Sequence, residues 1–377
     1  MEENRLHLFT SKWFRTFVPM AILVSVVMAG CTATPTTAPA TPGVPVTTPS
    51  QPVNLNGAGA TFPYPLYSKW FDEYNKLTGV QINYQSIGSG GGISQVTAGT
   101  VDFGASDGIM TDTQIAASTA AGGAILHIPM TSGAVVVIYN VPGIVLSGLK
   151  LTPDILADIY LKKITMWNDP RISSQNPGVG LPNTSIAVVH RSDGSGTTNI
   201  FTNYLSKVSP EWATKVGNAN SVNWPGDIGG SGNAGVAGQV VQIPGAIGYV
   251  ELAYALQNNI MYATMQNAKG NYIVPSLVST TAAAQGVTLP DDTKVMLTNS
   301  DNPDAYPIVG FTWILAYANQ TDKNKGQTLV NFLWWAIHDG QQFTEPLGYA
   351  KLSSLAVTRA ENEILSIKYQ GQPLLTR

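Results

Sequence analysis

From Asn54 onward, apolar positions fall into two alternating patterns, short runs of strand type and stripes at helical spacing. Leu66, Trp70, Tyr74 and Leu77 recur as one helix face that Gly79 closes. Val80, Ile82 and Tyr84 then alternate with polar residues as a half-buried strand. The Gly88–Gly92 cluster reads as a loop that meets a helix at Ile93 and Val96. Val101 to Asp107 is a small-residue strand ending in an acid, and Thr111-Asp112 can cap a short helix. Ala124–Pro129 and Ala134–Tyr139 read as two buried strands. Thr152-Pro153-Asp154 carries Pro at the first helical position, ahead of Ile155, Leu156, Ile159 and Tyr160.

The second half continues the alternation. Ile186–Val189 is a strand, and Ile200, Phe201, Tyr204 and Leu205 form a helix stripe. Ser209-Pro210-Glu211 starts another helix, and Gly226–Gly235 reads as a glycine-rich loop. Ala246–Val250 is a strand followed by a helix over Leu252–Leu256, and Pro307–Leu315 is strand-like. Gln327–His338 is a helix with Leu329, Phe332, Leu333 and Ala336 on one face. Trp334 and Trp335 beside that face read as packing residues. Strands alternating with helices make this an α/β chain.

One strand-to-helix junction carries candidate chemistry. His190-Arg191-Ser192-Asp193-Gly194-Ser195-Gly196-Thr197-Thr198 combines a charge, hydroxyls and glycines where a helix starts. N–H groups there lack helical partners and carry partial positive charge, so a tetrahedral oxyanion can take several together. Arg191 adds a planar fork of donors, and Ser195 and Thr197 add hydroxyls. The same residues also fit an N-capped helix in which Arg191 pairs with Asp193 for structural reasons alone.

Composition narrows the function classes. The chain has 377 residues, enough for about two domains. Twenty Lys plus Arg against 23 Asp plus Glu give a net charge of -3 with no basic patch. That argues against nucleic-acid partners, and leaves any anion site to local geometry. Gly88 to Gly92 lacks the spacing of a dinucleotide site, because Ile93 stands where the last glycine would be, and no G-K-[ST] follows any glycine loop. A phosphatase using Ser195 would need a base or a metal. The four histidines, His7, His127, His190 and His338, show no metal-ligand spacing.

Residues 1–30 read as a signal peptide: Lys12 and Arg15 precede an apolar run from Phe17 to Met28, then Ala29-Gly30. Cys31 follows directly and is the single cysteine, so intramolecular disulfides are excluded. Ala29-Gly30-Cys31 resembles the lipobox of bacterial-type lipoproteins, with Met28 where Leu is usual, which implies lipidation of Cys31. Residues 31–52 then form a Thr/Pro-rich linker with nothing large to bury. At about 3.1 Å per residue, it could hold the folded part up to roughly 60 Å from a membrane.

Six motifs in order carry a wider resemblance: Gly57–Pro63 (GAGATFP), Ile87–Gly92 (IGSGGG), Val101–Asp107 (VDFGASD), Ile159–Ile164 (IYLKKI) with Trp167, Arg191–Thr197 (RSDGSGT) and Pro244–Glu251 (PGAIGYVE). The chain from Asn54 on resembles the phosphate-binding proteins of ABC phosphate importers. Lys351-Leu352-Ser353-Ser354 departs from that pattern by lacking a proline after the leucine.

The resemblance implies a two-lobed, hinged periplasmic-binding-protein fold of type II, with two crossover strands and the ligand in the interlobe cleft. Lobe 1 would comprise residues 53–138 plus 307–377 and lobe 2 residues 139–306, with crossings near Val137–Asn140 and Pro307–Leu315. It implies phosphate contacts at Thr61, Phe62 (backbone N–H), Ser89, Asp107, Arg191, Ser195, Gly196 (backbone N–H) and Thr197. Asp193 would hold the Arg191 guanidinium, and His190 would flank the site. The implied activity is high-affinity extracytoplasmic binding of inorganic phosphate and delivery to transmembrane permease subunits. No cofactor, metal or catalysis is implied; the protein would be a monomer held at the membrane by its lipid. An ionised Asp107 can only accept, so it would favour a protonated oxyanion over sulfate or molybdate.

Overall fold

Nine strands build one sheet in the computed structural model, which describes residues 53–226 and 228–376. The expected signal peptide, Cys31 and the linker to residue 52 lie outside the described residues. The strands are β1 (Leu55–Gly59), β2 (Ile82–Ser86), β3 (Phe103–Ser106), β4 (Ile125–Asn140), β5 (Ala187–Arg191), β6 (Ile228–Gly230), β7 (Ala246–Glu251), β8 (Met261–Tyr262) and β9 (Val309–Tyr317). Their order is β2-β1-β3-β9-β4-β7-β5-β6, with β8 also beside β4. β1 runs parallel to β2 and β3, and β5 runs parallel to β6 and β7. Between these groups stand β9 and β4, antiparallel to each other and to their outer neighbours.

β4 links the two halves of the sheet by changing partner along its length. Residues up to Ala134 pair with β9, and Val135 to Asn140 pair with β7. The sequence suggested two strands here, interrupted after Pro129; the structure has one of 16 residues. Proline lacks a ladder donor, but the register with β9 shifts at this point, pairing Trp313 with Pro129 and Thr312 with Thr131. A bulge tolerates the missing N–H, and the strand continues through it.

The helices follow the apolar stripes. α1 (Tyr64–Thr78) buries Leu66, Trp70 and Tyr74 and ends at Gly79, whose φ of 76° is left-handed. Leu77, in its last turn, remains exposed. α2 (Ser89–Thr97) begins inside the expected glycine loop, so Gly90 to Gly92 occupy its first turn. Packing explains them. A Cβ on Gly92 would lie 2.5 Å from the Gly59 Cα and 2.7 Å from the carbonyl oxygens of Ala58 and Ala105, so the helix rests directly on the backbones of β1 and β3.

α3 (Asp112–Gly122) starts with a capping box between Thr111 and Gln114, and α4 (Pro153–Tyr160) is capped by Thr152. α5 (Gly196–Val208) buries Ile200, Phe201, Tyr204 and Leu205, and α6 (Pro210–Lys215) follows it, capped by Ser209. The glycine-rich stretch 226–235 is no loop either. It supplies β6 and the start of α7 (Gly232–Gln242), because a glycine at 230 lets the strand lie against the backbone N of Val236. α8 (Leu252–Gln257) follows β7, and α9 (Lys323–Ile337) begins four residues before the expected start, capped by Asp322. Phe332 and Trp335 on α9 pack against Tyr74 of α1.

The close approach at Gly92 leads to a stability prediction. Gly92→Ala should lower unfolding free energy by roughly 1–3 kcal/mol, since the atoms it meets are backbone that cannot rotate away. Urea unfolding checks this through a lower midpoint at an unchanged slope.

Candidate functional site

Four turns at the carboxyl ends of parallel strands bring the candidate residues together. Thr61 and Phe62 follow β1, Ser89 follows β2, Asp107 follows β3, Arg191 ends β5, and Ser195 to Thr197 open α5. In open α/β sheets this edge is where ligands bind, because helix N-termini face it. Ser89 is the first residue of α2, and Ser195 is the N-cap of α5, its Oγ accepting from the Thr198 N–H at 3.0 Å. Thr61, Phe62, Ser89, Asp107, Arg191, Ser195 and Thr197 are all buried.

The two halves of the sheet touch through these residues. Ser89 Oγ accepts the Gly196 N–H at 3.0 Å and the Asp107 N–H at 3.2 Å. The Gly90 N–H donates to the Gly194 carbonyl at 2.8 Å. Phe62 contributes its backbone, and its carbonyl accepts from the Tyr349 hydroxyl at 2.7 Å. The Thr61 carbonyl accepts from the Tyr254 hydroxyl at 2.5 Å. Beside this network a cavity of about 620 Å³ is lined by Thr61, Tyr64, Asp193, Gly232, Asn233 and Tyr254, among others.

Charge at the site is nearly cancelled. Arg191 donates from Nε to Asp193 Oδ1 at 2.7 Å and from Nη2 to Oδ2 at 2.5 Å, while Nη1 reaches Thr197 Oγ1 at 3.3 Å. The Gly232 N–H also donates to Asp193 Oδ1, at 3.0 Å. Burial works to raise the Asp193 carboxyl, but the Arg191 hydrogen bonds and charge outweigh it and hold the group below its ordinary range.

Asp107 behaves in the opposite way. Burial pushes its carboxyl up to about 7, against the Thr312 hydrogen bond, the Arg191 charge and the Ser89 hydroxyl, which lower it. Thr312 Oγ1 on β9 donates to Asp107 Oδ1 at 2.8 Å. Glu251, at the end of β7, is a second buried acid. Burial holds it well above the usual carboxylate range, despite the Ala253 N–H that donates to Oε2 at 2.7 Å.

Asn233 and Thr312 belong to this network but did not stand out in the sequence. Asn233 Nδ2 donates to Thr61 Oγ1 at 2.8 Å and to Thr197 Oγ1 at 3.1 Å. Its only sequence signal was its place among the glycines of 226–235. Thr312 was one residue of an apolar strand, and nothing nearby in sequence suggested an acid for it to meet. Tyr249 and Glu251 stood inside a recognised motif but had no assigned partner there. The Tyr249 hydroxyl accepts from the Arg191 N–H at 3.2 Å.

Catalytic chemistry finds little support in these contacts. Both ring nitrogens of His190 are engaged with backbone carbonyls, Nδ1 with Arg191 and Nε2 with Gly226, and the ring stacks on Trp224. No cluster of three His, Cys, Asp or Glu that could hold a metal occurs among the described residues.

Residues 45–339 match the PBP superfamily domain. The chain is 44% identical over 358 residues to a phosphate-binding protein PstS of Xylella fastidiosa strain 9a5c, covering 93% of this chain and 97% of that one. It is 43% identical over 314 residues to the PstS of Pasteurella multocida, covering 83% and 90%. A high-affinity periplasmic phosphate-binding protein solved with phosphate at pH 8.5 superposes with a TM-score of 0.65 at 20% identity, covering 82% and 93%. A phosphate-binding protein from Stenotrophomonas maltophilia does so with a TM-score of 0.66 at 19% identity, over the same shares. At such identities the two structures speak for the fold.

The raised Asp107 carboxyl sets the sign of a pH effect. Its folded value, about 7, lies above the ordinary 3.8, so the folded state holds this proton more tightly than the unfolded state. Its contribution to stability is complete below pH 4 and is lost as pH rises through 7. The stability of Asp107→Asn relative to the unsubstituted protein should therefore rise between pH 4 and pH 8, by an amount on the order of 1–4 kcal/mol. Urea midpoints in buffer free of oxyanions measure it; a pH-independent difference would mean that Asp107 titrates as an ordinary carboxylate.

Proposed function

The chain belongs to the PstS family of phosphate-binding proteins within the PBP superfamily, and from that premise we propose that it binds inorganic phosphate and delivers it to the membrane subunits of an ABC-type phosphate importer. Its fold is the two-lobed α/β type of periplasmic binding proteins. It is a binding protein rather than an enzyme. The observation that carries the reading is the convergence of hydroxyls, helix starts and one guanidinium around the buried carboxylate of Asp107.

Phosphate is a tetrahedral oxyanion that retains a proton near neutral pH. Thr61, Ser89, Ser195 and Thr197 would donate to it from hydroxyls, Phe62 and Gly196 from backbone N–H groups, and Arg191 from its guanidinium. Asp107 would accept the anion's proton. Charge-assisted hydrogen bonds contribute about 1.5–3 kcal/mol each. A handful of them can offset an association cost of roughly 4–15 kcal/mol, provided the donors are already aimed. In our reading, lobe 1 is residues 53–138 plus 307–377 and lobe 2 is residues 139–306. The partner change in β4 at Ala134–Val135 supports a crossing close to that boundary.

The same reading has the protein act outside the cytoplasm as a monomer. Export through the 1–30 signal and lipidation of Cys31 would keep it beside the permease, with the 31–52 linker as tether.

Calorimetry of the full chain in detergent, stripped of bound anion, should give micromolar or tighter phosphate binding, about -8 kcal/mol or better. Sulfate and molybdate should bind more weakly. Asp107→Asn should narrow the phosphate-over-sulfate preference, and equal sulfate binding by the unsubstituted chain would refute the selectivity argument. Absence of heat and of thermal shift with all three anions would sink the reading altogether. For the anchor, Cys31→Ser should move the protein from the membrane to the soluble fraction and abolish labelling by a fatty-acid probe.

A further inference from the structure

Three hydroxyls of the site, those of Thr61, Ser89 and Thr197, are each approached by two groups that can only donate. Thr61 Oγ1 accepts from the Asn233 backbone N–H at 3.2 Å and from Asn233 Nδ2 at 2.8 Å. Thr197 Oγ1 accepts from Asn233 Nδ2 at 3.1 Å and from Arg191 Nη1 at 3.3 Å. Ser89 Oγ accepts from the N–H groups of Gly196 and Asp107, and its own proton is directed at Asp107 Oδ2, 3.4 Å away. A hydroxyl has two lone pairs and one proton. With both lone pairs engaged, the proton has to point elsewhere and can only be given.

Asn233 completes this arrangement for both threonines, and its own orientation is fixed from behind. The Glu251 N–H donates to Asn233 Oδ1 at 2.9 Å. A backbone N–H cannot accept, so the amide oxygen must face Glu251 and the NH2 group must face Thr61 and Thr197. Asn233 is itself wholly buried, so no water competes for its amide.

We infer that Asn233 is a positioning residue that converts Thr61 and Thr197 into fixed hydrogen-bond donors. The inference rests on the phosphate-binding reading, in which both hydroxyls face the anion. Without the amide, each threonine hydroxyl could rotate and act as donor or acceptor, and part of the binding free energy would go into turning it. With the amide, the donor array is set before the anion arrives, which is how preorganisation raises affinity. Asn233 also gives the site a selectivity rule. Thr61 and Thr197 have no lone pair left for a ligand hydrogen, whereas the Asp107 carboxylate beside them can receive one. Neutral or cationic groups of similar size, which bring several hydrogens, would meet donors facing donors.

A purely structural role for Asn233, holding α7 against β7, would weaken binding equally whether or not the threonine hydroxyls are present. The test is therefore a set of double-mutant cycles on the full chain, with phosphate titrated by calorimetry. Asn233→Ala should weaken phosphate binding about ten- to a hundredfold. In Thr61→Val and Thr197→Val backgrounds, taken separately, the same change should weaken binding at least about threefold less than it does alone. Equal weakening in all three backgrounds overturns the inference. Circular dichroism checks that each variant folds. Should Asn233→Ala not fold, the near-isosteric Asn233→Asp replaces it with the same non-additivity expected, because charge repulsion from the new carboxylate would not depend on the threonines. If the unsubstituted chain gives no heat with phosphate, the functional reading itself fails, an outcome distinct from additivity in a chain that binds.

Discussion

A carboxyl buried among donors is the constraint from which the site takes its character. Asp107 is 1% exposed, and removing an ionised carboxylate from water is costly unless neighbours replace the lost hydrogen bonds. Thr312, Ser89 and the Arg191 charge offset only part of that cost, which leaves the group near neutrality rather than strongly acidic. An anion carrying a proton resolves the conflict. The proton can lie on Asp107 or on the anion, and either description gives a pair that shares one hydrogen. A fully deprotonated anion offers no such hydrogen and would set like charges against each other when Asp107 is ionised. The property that makes Asp107 expensive to bury is thus the one that would let it select in the proposed phosphate-binding reading.

Formal charge plays a smaller part than the chemistry of the ligand suggests. Overall charge is -3, and Arg191 is paired with Asp193 by two short hydrogen bonds, so the site has little net attraction to spend at long range. What remains is directional. The starts of α2 and α5 bring N–H dipoles to the same place, and the hydroxyls of Thr61, Ser89 and Thr197 have their lone pairs occupied. Such an array works at short range, among buried side chains, where each aimed donor counts for more than it would on the surface.

Much of this was legible in the sequence because strand-to-helix junctions have local signatures. An apolar run, a cluster of small residues and a helical stripe located the turns carrying Thr61, Ser89 and Arg191 to Thr197, and Val101 to Asp107 ended visibly in an acid. The misread stretches have a common physical origin. Glycines at 88–92 and 226–235 suggested loops, yet several serve close packing of helix on strand, as at Gly92 and Gly230. Pro129 suggested a break, but the bulge that accommodates it is set by β9, more than 170 residues away. Asn233 and Thr312 were invisible for a related reason. Which lone pair an amide or hydroxyl engages is decided by partners brought in by tertiary folding, and no spacing rule records that.

Glycine at the junctions also has a role beyond admitting a ligand. A Cβ on Gly196 would lie 2.5 Å from Ser89 Oγ and 2.7 Å from Asp107 Cβ, and one on Gly90 would lie 3.1 Å from the Gly194 Cα. A Cβ on Gly88 would collide with the Asp193 carboxylate. These contacts run between the two halves of the sheet, so the glycines allow half to meet half, besides any approach of an anion that the proposed function would require. Any side chain there would hold the halves apart and lower the fraction of molecules in which donors from both sides converge. Apparent affinity falls in proportion to that fraction, even when every anion contact is intact. The glycine pattern that marked the site in the sequence therefore has an explanation in the close approach of the two halves, independent of any coordination.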